Sequence, residues 1–317
     1  MTDTQNEVFK TPVNKIRLFE HGAPGSQNLK LTRKYYTEDM PDGRVKHIVQ
    51  NITDPDIVPY IPDGIGNSTD RQRIPAVLII PGGAFRRLVY NFEGEDVAKW
   101  LNSMGIAAFV LECRLPSDEH DNAEDVSLID AMRAMRVIRG RAQEFGIDEA
   151  KIGVMGFSAG GFMAALLSTA YESDVYADYK YKDEYDKLSA RPDFAVCSYP
   201  VISIDDCIEA GKRYMSEEQV LERISDSKAK ILHKYNPDKL VRPDMPPVFI
   251  CETDDDRTTL SENSVGFYMA ARKAGVSAEL HIFRTGGHGY GCGDDFAQTG
   301  EWKVLFTKWI KSIGIIS

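Results

Sequence analysis

The pentapeptide Gly156, Phe157, Ser158, Ala159, Gly160 constrains this chain more than any other feature, because it lies between a strand-like run, Lys151 to Met155, and a helix-like one, Gly161 to Leu167. On a turn that passes straight from strand to helix, a serine is held in a strained backbone with its hydroxyl presented outward, and only small residues fit on either side. With glycine and serine each near 7% of an average protein, such a pentapeptide arises by chance in about one chain in ten of this length. Context therefore carries the reading. Ile152, Gly153, Val154, Met155 is short and apolar, as expected for a strand buried on both faces of a parallel sheet, and Gly161 to Leu167 reads as a buried helix.

The rest of the chain supplies matching units. From about Pro75 onward strand and helix alternate, the order that builds a parallel sheet with helices on both faces. Ala76 to Ile80 and Ile106 to Cys113 read as strands and Glu93 to Ser103 as a helix. Ile129, Met132, Met135 and Ile138 recur at helical spacing between Val126 and Ala142. Phe194 to Tyr199, Val248 to Cys251 and Glu279 to Phe283 are later strands, and a last helix is expected from about Asp295 to Ile313. Asn14 to Phe19 and Val45 to Ile52 look like antiparallel strands within a lead-in of about residues 14–60. The expected class is α/β, a doubly wound and mostly parallel sheet in one domain spanning residues 1–317. Two segments interrupt the alternation, about 171–191 and 202–234. Long insertions after strands are where such enzymes place lids, so both are candidates for building a substrate pocket.

Composition removes several function classes. A net charge of -10 argues against nonspecific binding to nucleic acid or to an anionic membrane, both of which call for basic patches. No apolar run approaches the 18 or so residues of a membrane span. The five cysteines, Cys113, Cys197, Cys207, Cys251 and Cys292, have neither metal-ligand nor redox spacing and read as buried thiols in a reducing compartment. Met1 to Lys10 is polar and acidic where a signal peptide needs a basic start and an apolar core. The expected location is cytoplasmic, and a homo-oligomer is left open.

A serine hydroxyl becomes a useful nucleophile only when a base takes its proton, so the elbow calls for a histidine and for an acid to orient it. Of six histidines, His288 lies in Gly286, Gly287, His288, Gly289, Tyr290, Gly291, directly past the strand ending at Phe283. That is a loop able to bring an imidazole back over the sheet. His47 and His281 fall within strands, His21 near the N-terminus, His120 in an acidic loop and His233 in an insertion. The acid is expected after the preceding strand, where Val248 to Glu252 runs into Thr253, Asp254, Asp255, Asp256. Asp256 is favoured, with Asp255 next. Serine, acid, histidine is the chain order of α/β-hydrolases. The oxyanion that forms on an attacked carbonyl needs amide donors. Pro81, Gly82, Gly83, Ala84, Phe85 follows the strand where that fold supplies one, so Gly83 and Ala84 are candidates, with the amide of Ala159 as the other.

Taken together, Pro81 to Phe85, Phe92 to Gly94, Gly156 to Ala165, Arg191 to Phe194, Thr253 to Ser264 and Gly286 to Gly291 resemble the acetylxylan-esterase-like and feruloyl-esterase-like (BD-FAE-like) branch of α/β-hydrolases, from about Asn14 to the C-terminus. The resemblance implies carboxylester hydrolysis, often removal of acetyl groups from plant polysaccharide sugars, with no metal or organic cofactor. It also points to Asp256 as the acid. The family often has histidine where this chain has Phe92 and Phe162, a departure that bears on substrate preference. The expected substrate is an acetylated xylo-oligosaccharide. A feruloyl or general short-chain carboxylesterase is the nearest rival, and a serine peptidase or an inactive binding protein on the same fold is more remote.

Overall fold

A computed structural model describes residue 9 and residues 13–65, 73–213, 216, 218–219, 230–293 and 298–317. Among the described residues, eleven strands form two sheets. The larger contains β1 (Ile16–Arg17), β4 (Asp56–Tyr60), β5 (Ile74–Ile80), β7 (Ala107–Glu112), β8 (Ile147–Phe157), β9 (Ala195–Ser198), β10 (Val248–Thr253) and β11 (Ala278–Phe283), in the order β1-β4-β7-β5-β8-β9-β10-β11. All pairings from β7 to β11 are parallel, while β4 and β1 add antiparallel at one edge. The second sheet is antiparallel, β2 (Lys34–Asp39), β3 (Val45–Gln50) and β6 (Leu88–Val89) in that order.

The central strands follow from their sequences. Every residue of β7, β9 and β10 is buried, and β5 is buried from Pro75 onward, the continuous apolar run of a strand covered on both faces. From β5 the chain crosses by the helix Asp96–Ser103 to β7 on one side. From β7 it returns by the helix Val126–Gly140, past β5, to β8 on the other. With right-handed crossovers, this reversal puts the two helices on opposite faces. The first shares its face with the C-terminal helix Trp302–Ser312, since the Trp100 ring meets Trp302 at 4.9 Å and Phe306 at 5.4 Å. The reversal also opens a crevice beyond the carboxyl ends of β5 and β8, the place where open α/β sheets bind ligands.

Several sequence expectations change in detail. The expected helix from Glu93 begins as a π turn, Asn91–Glu95, and becomes α-helical at Asp96. The C-terminal helix starts at Trp302 after a 3-10 turn at Thr299–Glu301; its expected start at Asp295 lies outside the described residues. Segment 171–191 packs against the helix Val126–Gly140: Arg133 pairs with Asp183 and Asp186, and Arg136 donates to the Tyr176 hydroxyl. Of segment 202–234, the helices Ile204–Lys212 and Lys230–Lys234 are seen, and much of the stretch between them lies outside the described residues. Cys113, Cys197 and Cys251 are buried thiols as expected, whereas Cys292, on the loop after β11, is only partly buried; the Cys207 side chain is outside the described set. Among the described residues, no helix is long and apolar enough to cross a membrane.

Candidate active site

Ser158 stands at the junction of β8 and the helix Ala159–Ala170 with φ 54 and ψ -119, a backbone that a side-chain-bearing residue rarely adopts. Steric fit enforces the turn. A Cβ on Gly156 would lie 1.9 Å from the Gly160 carbonyl oxygen, and one on Gly160 would lie 1.9 Å from that of Ile80. The Ser158 amide donates to the Ser198 carbonyl at 3.0 Å, which ties the turn to the next strand.

The loops after β10 and β11 bring the acid and the imidazole to that serine. His288 Nε2 lies 2.8 Å from Ser158 Oγ, and His288 Nδ1 lies 2.6 Å from Asp256 Oδ2. Because an ionised carboxylate only accepts, Nδ1 carries the ring proton and Nε2 is the acceptor facing the serine hydroxyl. Asp256 Oδ1 accepts the amides of Thr258 at 2.7 Å and Thr259 at 3.0 Å, and Oδ2 also accepts the Thr259 hydroxyl at 3.0 Å. Burial would raise this carboxyl group, but the bond from His288 and these amides hold it below the usual aspartate range. Asp255 is occupied elsewhere, its Oδ1 accepting the Gly287 amide at 2.8 Å. It braces the histidine loop rather than the imidazole.

Gly83 and Ala84 line the same cleft of about 250 Å³ as Ser158 and His288. Among the described residues, no acceptor engages the amides of Gly83, Ala84 or Ala159. The loop is sharply bent: Ala84 and Phe85 have φ 56 and 59, and a Cβ on Gly83 would meet the Arg87 carbonyl oxygen at 2.1 Å.

Two further residues that were not among the sequence-based candidates belong to the site: Glu93 lies within the Phe92 to Gly94 motif and Tyr199 at the end of a strand-like run. Glu93, on the π turn, is 5% exposed; Oε2 accepts the Gly82 amide at 2.8 Å and Oε1 accepts the Tyr199 hydroxyl at 2.9 Å. Burial pushes its carboxyl group above the usual glutamate range, against the pull of the Tyr199 bond and of His288. The Tyr199 hydroxyl also accepts the Gly291 amide at 3.1 Å, and its ring meets the His288 imidazole edge-on at 5.0 Å. One buried pair thus supports both the Gly82 loop and the histidine loop. Below Asp256, the fully buried Glu252 accepts the Thr253 amide at 2.9 Å and the Ser264 hydroxyl at 3.2 Å. Burial and the charge of Asp256 push Glu252 well above its ordinary range, favouring the neutral acid.

The remaining wall of the cleft comes from the lead-in strands: Met40, Arg44 and Lys46 from the β2–β3 hairpin, together with Arg87, Val89 and Phe92. Segment 171–191 contributes none of the lining residues. Phe85, Phe157, Phe162 and Tyr290 are buried core residues. Among the described residues, no group of three or more His, Cys, Asp or Glu side chains could hold a metal ion.

Residues 65–270 match the family model described as BD-FAE. The chain is 30% identical over 240 residues, 75% of its length, to an acetylxylan esterase of Xylanibacter ruminicola, and covers 45% of that protein. It spans less than half the length of the curated relatives it matches. Among solved structures it resembles an acetyl ester-xyloside bifunctional hydrolase from Caldicellulosiruptor lactoaceticus, with a TM-score of 0.69, 35% identity, and coverage of 96% of this chain and 97% of that one. A carboxylesterase from Lactobacillus plantarum gives a TM-score of 0.68 at 20% identity, covering 90% and 99% of the two chains, a likeness of fold alone.

Proposed function

The chain belongs to the BD-FAE family and has the α/β-hydrolase fold, and from that premise we propose that it is a serine carboxylester hydrolase that removes acetyl groups from xylo-oligosaccharides. The observation that carries the reading is the unbroken hydrogen-bonded line from Asp256 through His288 to Ser158 at the end of an open cleft. The xylan-related substrate is supported by the acetylxylan esterase and acetyl ester-xyloside hydrolase to which the chain is similar.

In the proposed reaction His288 Nε2 takes the proton of Ser158 as Oγ attacks the ester carbonyl, and Asp256 stabilises the imidazolium that forms. The negative charge on the carbonyl oxygen meets the unengaged amides of Ala159 and of the Gly83 and Ala84 loop. Each such donor contributes about 3 kcal/mol. The tetrahedral species collapses, its C–O bond to the sugar breaks, and His288 returns the proton to the departing alkoxide. An acetyl group then remains on Ser158. Water enters with its proton passing to the same imidazole, a second tetrahedral species forms, and acetic acid leaves as Ser158 is reprotonated, ionising to acetate in solvent. Every proton transfer at the enzyme moves through His288, and the scheme needs no cofactor. Buried thiols at Cys113, Cys197 and Cys251 suit a cytoplasmic setting for the reaction.

The test compares release of acetate from acetylated xylo-oligosaccharide with turnover of p-nitrophenyl acetate, butyrate and octanoate and of methyl ferulate, with Ser158→Ala as control. Acetate release from the oligosaccharide that disappears in Ser158→Ala is the expected result. Preference for long acyl chains or ferulate would move the assignment to another carboxylesterase, and absence of any Ser158-dependent turnover would overturn it.

A further inference from the structure

The cleft above Ser158 has the opposite electrostatic character to the protein around it. The chain carries 48 Asp and Glu against 38 Lys and Arg. Yet three cations, Arg44, Lys46 and Arg87, line the cleft, and among its described lining residues the single carboxyl group is the buried Glu93. Pairing neutralises two of the three. Arg44 Nη2 lies 2.8 Å from Asp42 Oδ2, its guanidinium standing over the Phe92 ring at 5.2 Å, and Arg87 pairs with Glu38. Lys46 is the remainder. The β2–β3 register sets it opposite Glu38, but that carboxylate is held by Arg87, and among the described residues no other carboxylate forms an ion pair with Lys46. Within the cleft Lys46 faces the charge of Glu93 alone, and burial pushes that carboxyl group above its usual range, toward the neutral form. An ammonium so weakly countered inside a concave, partly water-excluding site concentrates its field there, where it acts on whatever occupies the cleft.

We infer that the β2–β3 wall selects esters that carry a carboxylate, with Lys46 as the contact and Arg44 and Arg87 as its flanks. The inference rests on the carbohydrate-ester reading above and narrows it. An acetyl group has no position for a charge, so the carboxylate belongs to the alcohol side of the scissile bond. On an oligosaccharide, that is a uronic acid unit near the acetylated sugar. A lysine suits this task, since a flexible point charge meets a carboxylate without demanding one bidentate orientation.

The experiment measures kcat/KM for two acetylated xylo-oligosaccharides of equal length, one with and one without a uronic acid unit, in wild type and Lys46→Met. Wild type at low salt should prefer the acidic substrate by roughly fivefold, the scale of a partly exposed ion pair. The preference should fall toward unity at about 0.5 M salt, where charges separated by more than a few ångströms are screened. In Lys46→Met the ratio should be near one at every salt concentration. Equal values in wild type, or an undiminished ratio in Lys46→Met, would overturn the inference.

Calorimetric binding of the two deacetylated oligosaccharides to Ser158→Ala, with and without Lys46→Met, separates this inference from the reading beneath it. Tighter binding of the acidic one that requires Lys46, without acetate release by wild type, would sink the esterase reading and leave the charge selection standing. Release without preference in either assay would do the reverse.

Discussion

The carboxyl group of Glu93 accepts the Gly82 amide at 2.8 Å, so a side chain on a π turn fixes the start of the loop whose next two residues line the cleft. Replacing Glu93 by leucine would leave that amide and the Tyr199 hydroxyl buried without their acceptor, at a cost of about 1–3 kcal/mol each. Glu93→Gln keeps one carbonyl acceptor and should lose less. We expect Glu93→Leu to lower the urea midpoint and to reduce kcat by roughly tenfold or more through misplaced oxyanion donors. Wild-type kcat in a folded Glu93→Leu enzyme would refute the bracing role.

Two neighbouring aspartates should separate cleanly. Asp256→Asn removes the acceptor that sets the His288 tautomer, and kcat for p-nitrophenyl acetate should fall by about 10⁴. Among the described residues Asp255 bonds the loop amide of Gly287 and not the imidazole, so Asp255→Asn should cost less than about tenfold. Comparable losses in the two variants would mean that the acid is wrongly assigned.

Glycines in this chain divide into those that touch backbone and those that do not. Gly160→Ala forces a carbon to within 1.9 Å of the Ile80 carbonyl oxygen and should destabilise by more than about 3 kcal/mol or prevent folding. Gly266, exposed in the helix Ser261–Lys273, has open space around it, so Gly266→Ala should stabilise by about 0.5–1 kcal/mol. Thermal melting of the two variants reads both effects.

His120 makes stability depend on pH. Its ring is buried beside Ser26, with Nδ1 3.0 Å from that hydroxyl, and burial followed by the charge of Arg114 lowers its pKa to about 4. An unfolded chain binds the proton below about 6.5, whereas the folded one does so only near 4, so stability falls as the pH drops through this window. The loss approaches about 3 kcal/mol at its foot. Urea titrations of wild type and His120→Gln between those limits should show a shallower slope in the variant, and identical slopes would exclude His120 as the cause.

Local pattern made the candidate serine and histidine legible. Ser158 follows an apolar strand and precedes an apolar helix, and His288 lies among glycines just past β11, so period and punctuation located both. Strand β2 escaped because Lys34 to Asp39 is polar and at most half-buried on either face, which erases the alternation that marks a strand. β4 carries Asp56 and Pro59, residues that argue against a strand until it is known that β1 pairs only with Asp56 and Ile57 and so leaves Pro59 without a partner strand on its outer side. Segment 171–191 suggests a pocket by its length and its place between strands. Its placement is decided by Arg133 and Arg136, dozens of positions away on a helix whose pairing preferences leave no periodic trace. Tyr199 and Glu93 meet across 106 positions, and only the assembled sheet brings them together.

The bond between His288 and Ser158 spans 130 positions, and it can close only after β9, β10 and β11 have been laid beside β8 in register. Contacts of such long range form late, because the chain must bear the loop-closure entropy before they can form. On the proposed reading, a nascent or partly folded molecule is expected to carry an inert serine, with ester turnover expected only once the sheet is finished. Hydrolysis followed during refolding would thus time the docking of the last strands, while far-ultraviolet circular dichroism reports the earlier growth of helix.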